Sequence, residues 1–162
     1  MPQAQPFSIS RVFNAPRKLF WEVQTDPAHL AKYMGPGWKS FKHDFKVGGI
    51  HHYVMGAPGQ EMWGKQTFKE IVPMEKLVLI QCFSNADLEI TSHPMAPTWP
   101  KEMLATMTYE DAGPGKTKMT VTWLPYNADD VANATFDGAR DSMTGGFGGM
   151  FDSIDAYLKT LA

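Results

Sequence analysis

Four histidines, His43, His51, His52 and His93, accompany Asp44 in the stretch between residues 43 and 93. Imidazole and carboxylate are ordinary zinc ligands, so metal chemistry is the first use to weigh for this set. Strand alternation argues against it. His51 and His52 are adjacent, as are His43 and Asp44, and successive strand residues point to opposite faces. No metal and no cofactor is therefore expected. Proton transfer is the second use, with Asp44, Glu61, Glu89 and Glu102 as the carboxylates that could act as general bases. Enclosure by Phe, Trp and Met would raise such a carboxyl's pKa, although a wet surface is the ordinary fate of an acid. Arg11, on the inward side of the first strand, reads as half of a structural ion pair rather than a substrate clamp. The chain has no nucleophile elbow, P-loop or dinucleotide fingerprint, so no catalytic residue is assigned.

Large adaptable apolar side chains carry more weight. The chain holds 11 Met, 10 Phe, 5 Trp and 5 Tyr, more than a compact core of this size needs, and methionine fills irregular space. Trp38, Phe45, His51, Tyr53, Met55, Trp63, Trp123, Met143, Phe147, Met150 and Phe151 fall at inward or mouth positions of the elements described next. They are the candidate ligand-binding residues. An apolar cavity with polar points at Tyr53 and His51 is one reading of the set, and a filled core is the other.

The elements that must position these residues follow from local pattern. Phe7 to Phe13 reads as a strand with Phe7, Ile9, Arg11 and Phe13 on one side. Asn14, Ala15 and Pro16 then open a helix with Leu19, Phe20 and Val23 on its apolar face. Asp26 and Pro27 start a second helix, with Leu30, Tyr33 and Met34 inward, which Gly35, Pro36 and Gly37 end. Hairpin strands follow: 41–47, a tight turn at Gly48 and Gly49, then 50–55, the turn 57–60 and strand 61–72. Leu77 to Phe83 is almost continuously apolar, as a central strand would be. Three prolines, Pro94, Pro97 and Pro100, confine 84–100 to an edge or rim. Strands 102–109 and 116–124 complete the set, the latter alternating Met119, Val121 and Trp123 with Lys118, Thr120 and Thr122.

The last segment, 141–162, reads DSMTGGFGGMFDSIDAYLKTLA. Met143, Phe147, Met150, Phe151, Ile154, Leu158 and Leu161 recur three or four apart and make one apolar helix face. Gly145, Gly146, Gly148 and Gly149 sit inside it, and each interior glycine costs about 1 kcal/mol relative to alanine. Close packing of the helix on a sheet and a ligand under the helix are the two explanations. A break near 144–149 is the expected consequence. A helical region starts before it, at Asn127 or Asp129. The whole order predicts an α+β fold in which a curved antiparallel sheet of about seven strands wraps a long C-terminal helix.

Composition narrows the setting. At 162 residues the chain is the size of one domain, 1–162, with neither repeat nor linker. The formal net charge of −2 is spread without long runs, which argues against a nucleic-acid surface. Lys39, Lys42 and Lys46 alternate with Phe41, His43 and Phe45 as a solvated strand face does. The lone Cys82 reads as a buried structural thiol, and the start MPQAQPFSIS lacks the regions of a secretory signal. No apolar run reaches membrane-spanning length. A cytoplasmic setting with no membrane partner is expected.

Several segments carry a family resemblance: RVFNAPRKLFWEVQTDPAHLAKYMGPGW at 11–38, VGG at 47–49, KEIVPMEKLV at 69–78, HPMAPTWPKEMLATMTYED at 93–111 and SMTGGFGGMFDSIDAYLKTL at 142–161. In that order they resemble the SRPBCC superfamily, of START and pollen-allergen type, in its branch called activator of heat-shock protein 90 ATPase homologue. The chain departs from it at Phe147, where relatives tend to have Trp, and in its extra glycines. The resemblance implies a helix-grip fold of seven antiparallel strands around the C-terminal helix, with a pocket between them. It implies a small hydrophobic molecule as partner, with Met143, Phe147, Met150 and Phe151 lining the pocket and Trp38 at its mouth. A cyclase or hydrolase acting on a hydrophobic substrate is the first alternative. The second is a chaperone-interacting domain or a homodimer, with Met95 and Trp99 forming an exposed patch.

Overall fold

Alternation builds the sheet. In a computed structural model that describes residues 4–35, 37–56, 59–93 and 96–161, the strands are β1 (Phe7–Phe13), β2 (Lys39–His43), β3 (Ile50–Met55), β4 (Met62–Val72), β5 (Lys76–Ser84), β6 (Ile90–Thr91), β7 (Glu102–Asp111) and β8 (Thr117–Pro125). They form one antiparallel sheet in the order β1-β8-β7-β5-β4-β3-β2, with β6 pairing the end of β5. The first strand thus closes onto the last, Ile9 opposite Val121 and Phe7 opposite Trp123. The apolar run of β5 lies in the middle of the order, flanked by β4 and β7.

Four helices complete the α+β arrangement: α1 (Arg17–Thr25), α2 (Pro27–Tyr33), α3 (Asp130–Asp137) and α4 (Arg140–Leu161). Asp26 caps α2 by accepting from Ala28 N at 2.9 Å, and Asp129 caps α3 by accepting from Ala132 N at 2.8 Å. The C-terminal half of α4 packs Phe151, Ile154 and Leu158 into a core with Phe13, Phe20, Val23, Phe68 and Met119. Its N-terminal half packs Met143 into a second cluster with Phe7, Met103 and Phe136. Arg11 joins β1 to α4 through Asp152 at 2.8 Å and Asp155 at 3.0 Å, with its guanidinium over the Phe151 ring. It is the expected ion pair, half-exposed rather than buried.

Three expectations need correction. First, α4 runs unbroken through 144–149, and the interruption lies earlier, at Gly138 and Ala139. Its hydrogen-bonded ladder and its packing at both ends outweigh the weak propensity of the glycines. Second, β2 stops at His43, because residues 44–49 form a longer turn in which Gly48 N donates to Phe68 O at 2.8 Å. Third, a register shift between Ser40 and Lys42 breaks the lysine alternation and turns Phe41 outward, 51% exposed, against Trp63. Pro36, Ala57, Pro58, Pro94 and Met95, named in the sequence reading, lie outside the described residues.

The glycines of α4 are not there for close packing. A Cβ built on Gly145, Gly146, Gly148 or Gly149 meets nothing within 4 Å. Gly64 is the opposite case, since a Cβ there would collide with the Tyr53 ring lying across it from the neighbouring strand. Gly149→Ala should therefore stabilise the protein by about 1 kcal/mol, and Gly64→Ala should destabilise it by about 1–3 kcal/mol through overpacking. Urea unfolding of the two variants checks both signs.

Candidate functional site

Between the two clusters that hold α4, the helix reaches the sheet through Phe147, its ring T-shaped to Trp123 at 5.2 Å, and leaves a gap beside that contact. The gap is a cavity of about 530 Å³, within the range of small-molecule sites. Strand alternation aims His51, Tyr53 and Met55 of β3, Gln66 and Phe68 of β4, Leu77, Leu79, Gln81 and Phe83 of β5, and Met119, Val121 and Trp123 of β8 at it. From the other side α4 contributes Met143, Gly146, Phe147 and Met150, and α2 contributes Leu30 and Tyr33. Ser142 and Gly146, exposed yet lining the chamber, mark its mouth on α4. Among the described lining residues none is Asp, Glu, Lys or Arg.

Nine of the sequence candidates meet in this wall: Trp38, Phe45, His51, Tyr53, Met55, Trp123, Met143, Phe147 and Met150. Trp63 and Phe151 do not. Trp63 stands one residue out of phase with Gly64, Gln66 and Phe68, so its ring stacks on His52 at 4.9 Å on the far face. It reaches only a side recess of about 100 Å³ that shares Tyr53, Gln81 and Trp99 with the main chamber. Phe151 lies one helical turn beyond Phe147 and is spent in the core, edge-on to Phe13 at 5.5 Å. Trp99 is half-buried and turns inward against Trp123 and Phe136, so it forms no exposed patch.

The proposed bases are elsewhere. Glu61 and Glu89 are exposed, Asp44 lies 3.6 Å from Lys46 Nζ, and Glu102 is half-buried away from the chamber. The adjacent histidines separate as strand geometry requires. His51 lines the chamber, while His52 faces outward, its Nε2 3.1 Å from Asn85 O. His43 pairs across the strands with His51, ring edge to ring face at 4.8 Å. Among the described residues no group of three or more His, Cys, Asp or Glu is placed to hold a metal. Cys82 is buried, its thiol pKa pushed up by burial.

Two glutamines that the sequence reading passed over supply most of the polarity. Gln66 and Gln81 face each other across β4 and β5. Gln66 Oε1 lies 3.3 Å from His51 Nδ1, and Gln81 Nε2 donates to Tyr53 Oη at 3.1 Å. An amide oxygen can only accept, so Nδ1 carries the His51 proton and Nε2 accepts from Ser40 Oγ at 3.1 Å. His51 has both nitrogens occupied and offers a ligand little. Their signal was present in the sequence: continuing the alternation inward from Phe68 and from Leu77 and Leu79 reaches a Gln on each strand. Tyr53 lies flat over Gly64 and stacks near Trp38, ring centres 6.1 Å apart.

Relatives of known structure share this architecture. The profile of the family described as "Activator of Hsp90 ATPase homolog 1-like protein" matches residues 14–159. The chain belongs to this family, within the SRPBCC superfamily. A crystal structure of a Mycobacterium smegmatis protein superposes with TM-score 0.76 at 20% identity, covering 97% of this chain and 92% of that one. A solution structure of an Arthrobacter aurescens protein gives TM-score 0.77 at 25% identity, over 97% and 87% of the two chains. A Staphylococcus epidermidis protein gives 0.73 at 17%, over 100% and 94%. These likenesses establish the helix-grip fold of this family member, whose fold is of ligand-binding type. No curated protein sequence matches it. Among the described residues no helix is long and apolar enough to cross a membrane.

Burial, with His43 alongside, lowers the pKa of His51 to about 4, and burial also lowers that of His43. An unfolded histidine titrates near 6.5, so between about 6.5 and 4 the unfolded chain binds a proton that the folded chain refuses. Stability is therefore complete above pH 6.5 and falls as the pH drops to 4, by up to about 3 kcal/mol from His51. An NMR titration should show the His51 ring neutral down to about pH 4, whereas protonation near 6.5 would contradict this environment.

Proposed function

We propose that this family member binds a small, uncharged, largely apolar molecule in the chamber between the sheet and α4. One observation carries the reading: a cavity of about 530 Å³ whose described lining has no ionisable carboxylate, amine or guanidinium. An ion entering it would lose its hydration without gaining a counter-charge, whereas an apolar body would replace water against Met, Phe and Leu. Six methionines, Met34, Met55, Met107, Met119, Met143 and Met150, line the space, and their flexible thioethers let it adapt to shape.

A cyclase or hydrolase has less support from this geometry. Such chemistry needs a proton acceptor at the substrate, and the four candidate carboxylates stand outside the chamber, so the task would fall to the histidines of its lining, His43, His51 and His93. His51 is fully hydrogen-bonded. A chaperone-interacting role would rest on the family's description alone, since Trp99 packs inward.

Gly146 and Gly149 provide a matched test. Both have open space beyond Cα, but only Gly146 lines the chamber. Gly146→Leu should weaken binding of the apolar dye N-phenylnaphthylamine by about tenfold or more, equivalent to about 1.4 kcal/mol, while Gly149→Leu leaves it unchanged. Fluorescence titration reads both, and equal affinities for the two variants would contradict the reading.

A further inference from the structure

Resting on the chamber reading above, we propose that Gln66 and Gln81 form a paired reader of hydrogen-bonding groups. It selects neutral ligands that carry a carbonyl beside an N–H or O–H, a lactam being the simplest case.

Register brings the two amides together. Gln66 and Gln81 are directly opposite on β4 and β5, where facing Cβ atoms stand about 4.5–5.5 Å apart. Both line the chamber. Each amide is turned by a different neighbour, so the pair presents opposite functions. Gln66 gives its oxygen to His51, which leaves its NH2 to donate. Gln81 gives its NH2 to Tyr53, which leaves its oxygen to accept. Neither remaining function meets a protein partner among the described residues, nor do they meet each other.

The orientations are built in rather than incidental. His51 is fixed from behind by Ser40, which commits the proton on Nδ1 to Gln66. Tyr53 is held across Gly64, where any side chain would displace its ring. Having accepted from Gln81, the Tyr53 hydroxyl keeps its own proton and adds a second donor beside the pair. A lactam edge complements this wall: its carbonyl accepts from Gln66 and its N–H donates to Gln81, with the ring system lying toward Met143, Phe147 and Met150. A carboxylic acid has the same two functions only while protonated, and near neutral pH it enters as an anion with no counter-charge in the wall. A hydrocarbon of equal size leaves both amides unpaired, and a site built to hydrogen-bond discriminates strongly against such analogues.

Displacement of N-phenylnaphthylamine from the full chain tests this with three bicyclic probes of similar size: carbostyril, N-methylcarbostyril and naphthalene. Carbostyril should displace the dye at concentrations about tenfold lower than either other probe. Gln66→Met and Gln81→Met should each remove that preference, read as the ratio of displacing concentrations of the three probes within one variant so that any change in dye affinity cancels. Equal displacement by the three probes, or a preference that survives in both variants, overturns the proposal and leaves the chamber reading standing. Failure of the dye to bind the unsubstituted protein overturns both.

Discussion

Helix α4 is fastened by buried clusters at its two ends and joined to the sheet between them only by half-buried contacts, chiefly Phe147 on Trp123 and Phe7, and the rest of the molecule follows from that constraint. Toward its C-terminus Phe151, Ile154 and Leu158 are committed to the core formed with β1, α1 and the sheet. Toward its N-terminus Met143 is held in the cluster around Phe136 and Phe7. Polar ties reinforce both attachments. Arg11 binds Asp152 and Asp155 near one, while Arg140 donates to the carbonyls of Gln5 and Pro6 near the other. A helix held this way crosses the concave side of the sheet with Phe147 as a strut on Trp123 and a space left beside it. The space beneath Gly146, Phe147 and Met150 is what remains.

Charge is sorted just as strictly. The acids that could have supplied proton chemistry are outside the chamber, and burial lowers the pKa of two of its histidines, His43 and His51. Its polar groups instead form chains of neutral hydrogen bonds, Ser40 to His51 to Gln66 and Gln81 to Tyr53. Fully oriented chains of this kind favour one arrangement of donors and acceptors. Selectivity then comes from matching that arrangement rather than from attraction between ions.

Much of the fold was legible because alternation and helical spacing are local signals. Met119, Val121 and Trp123 marked the inward face of β8, Asp26 and Asp129 marked helix starts, and the apolar run at 77–83 marked the central strand. What failed needed information from across the sheet. Helical spacing puts Phe147 and Phe151 on one face but does not say that the core ends between them. Trp63 was expected at an inward or mouth position, although phase with Gly64 and Gln66 assigns it to the far side. Gly64 itself was silent, because its purpose is the Tyr53 ring on the next strand. The glycines of α4 drew attention to the right helix for a reason the packing does not support, since no neighbour crowds them.

A crystal structure of the protein with N-phenylnaphthylamine bound would show α4 and the contents of the chamber together. Density for the dye is expected between α4 and the Gln66–Gln81 pair, with Phe151 still packed against Phe13. Side chains filling that space, with the dye instead on the outer face beside Phe41 and Trp63, would contradict it.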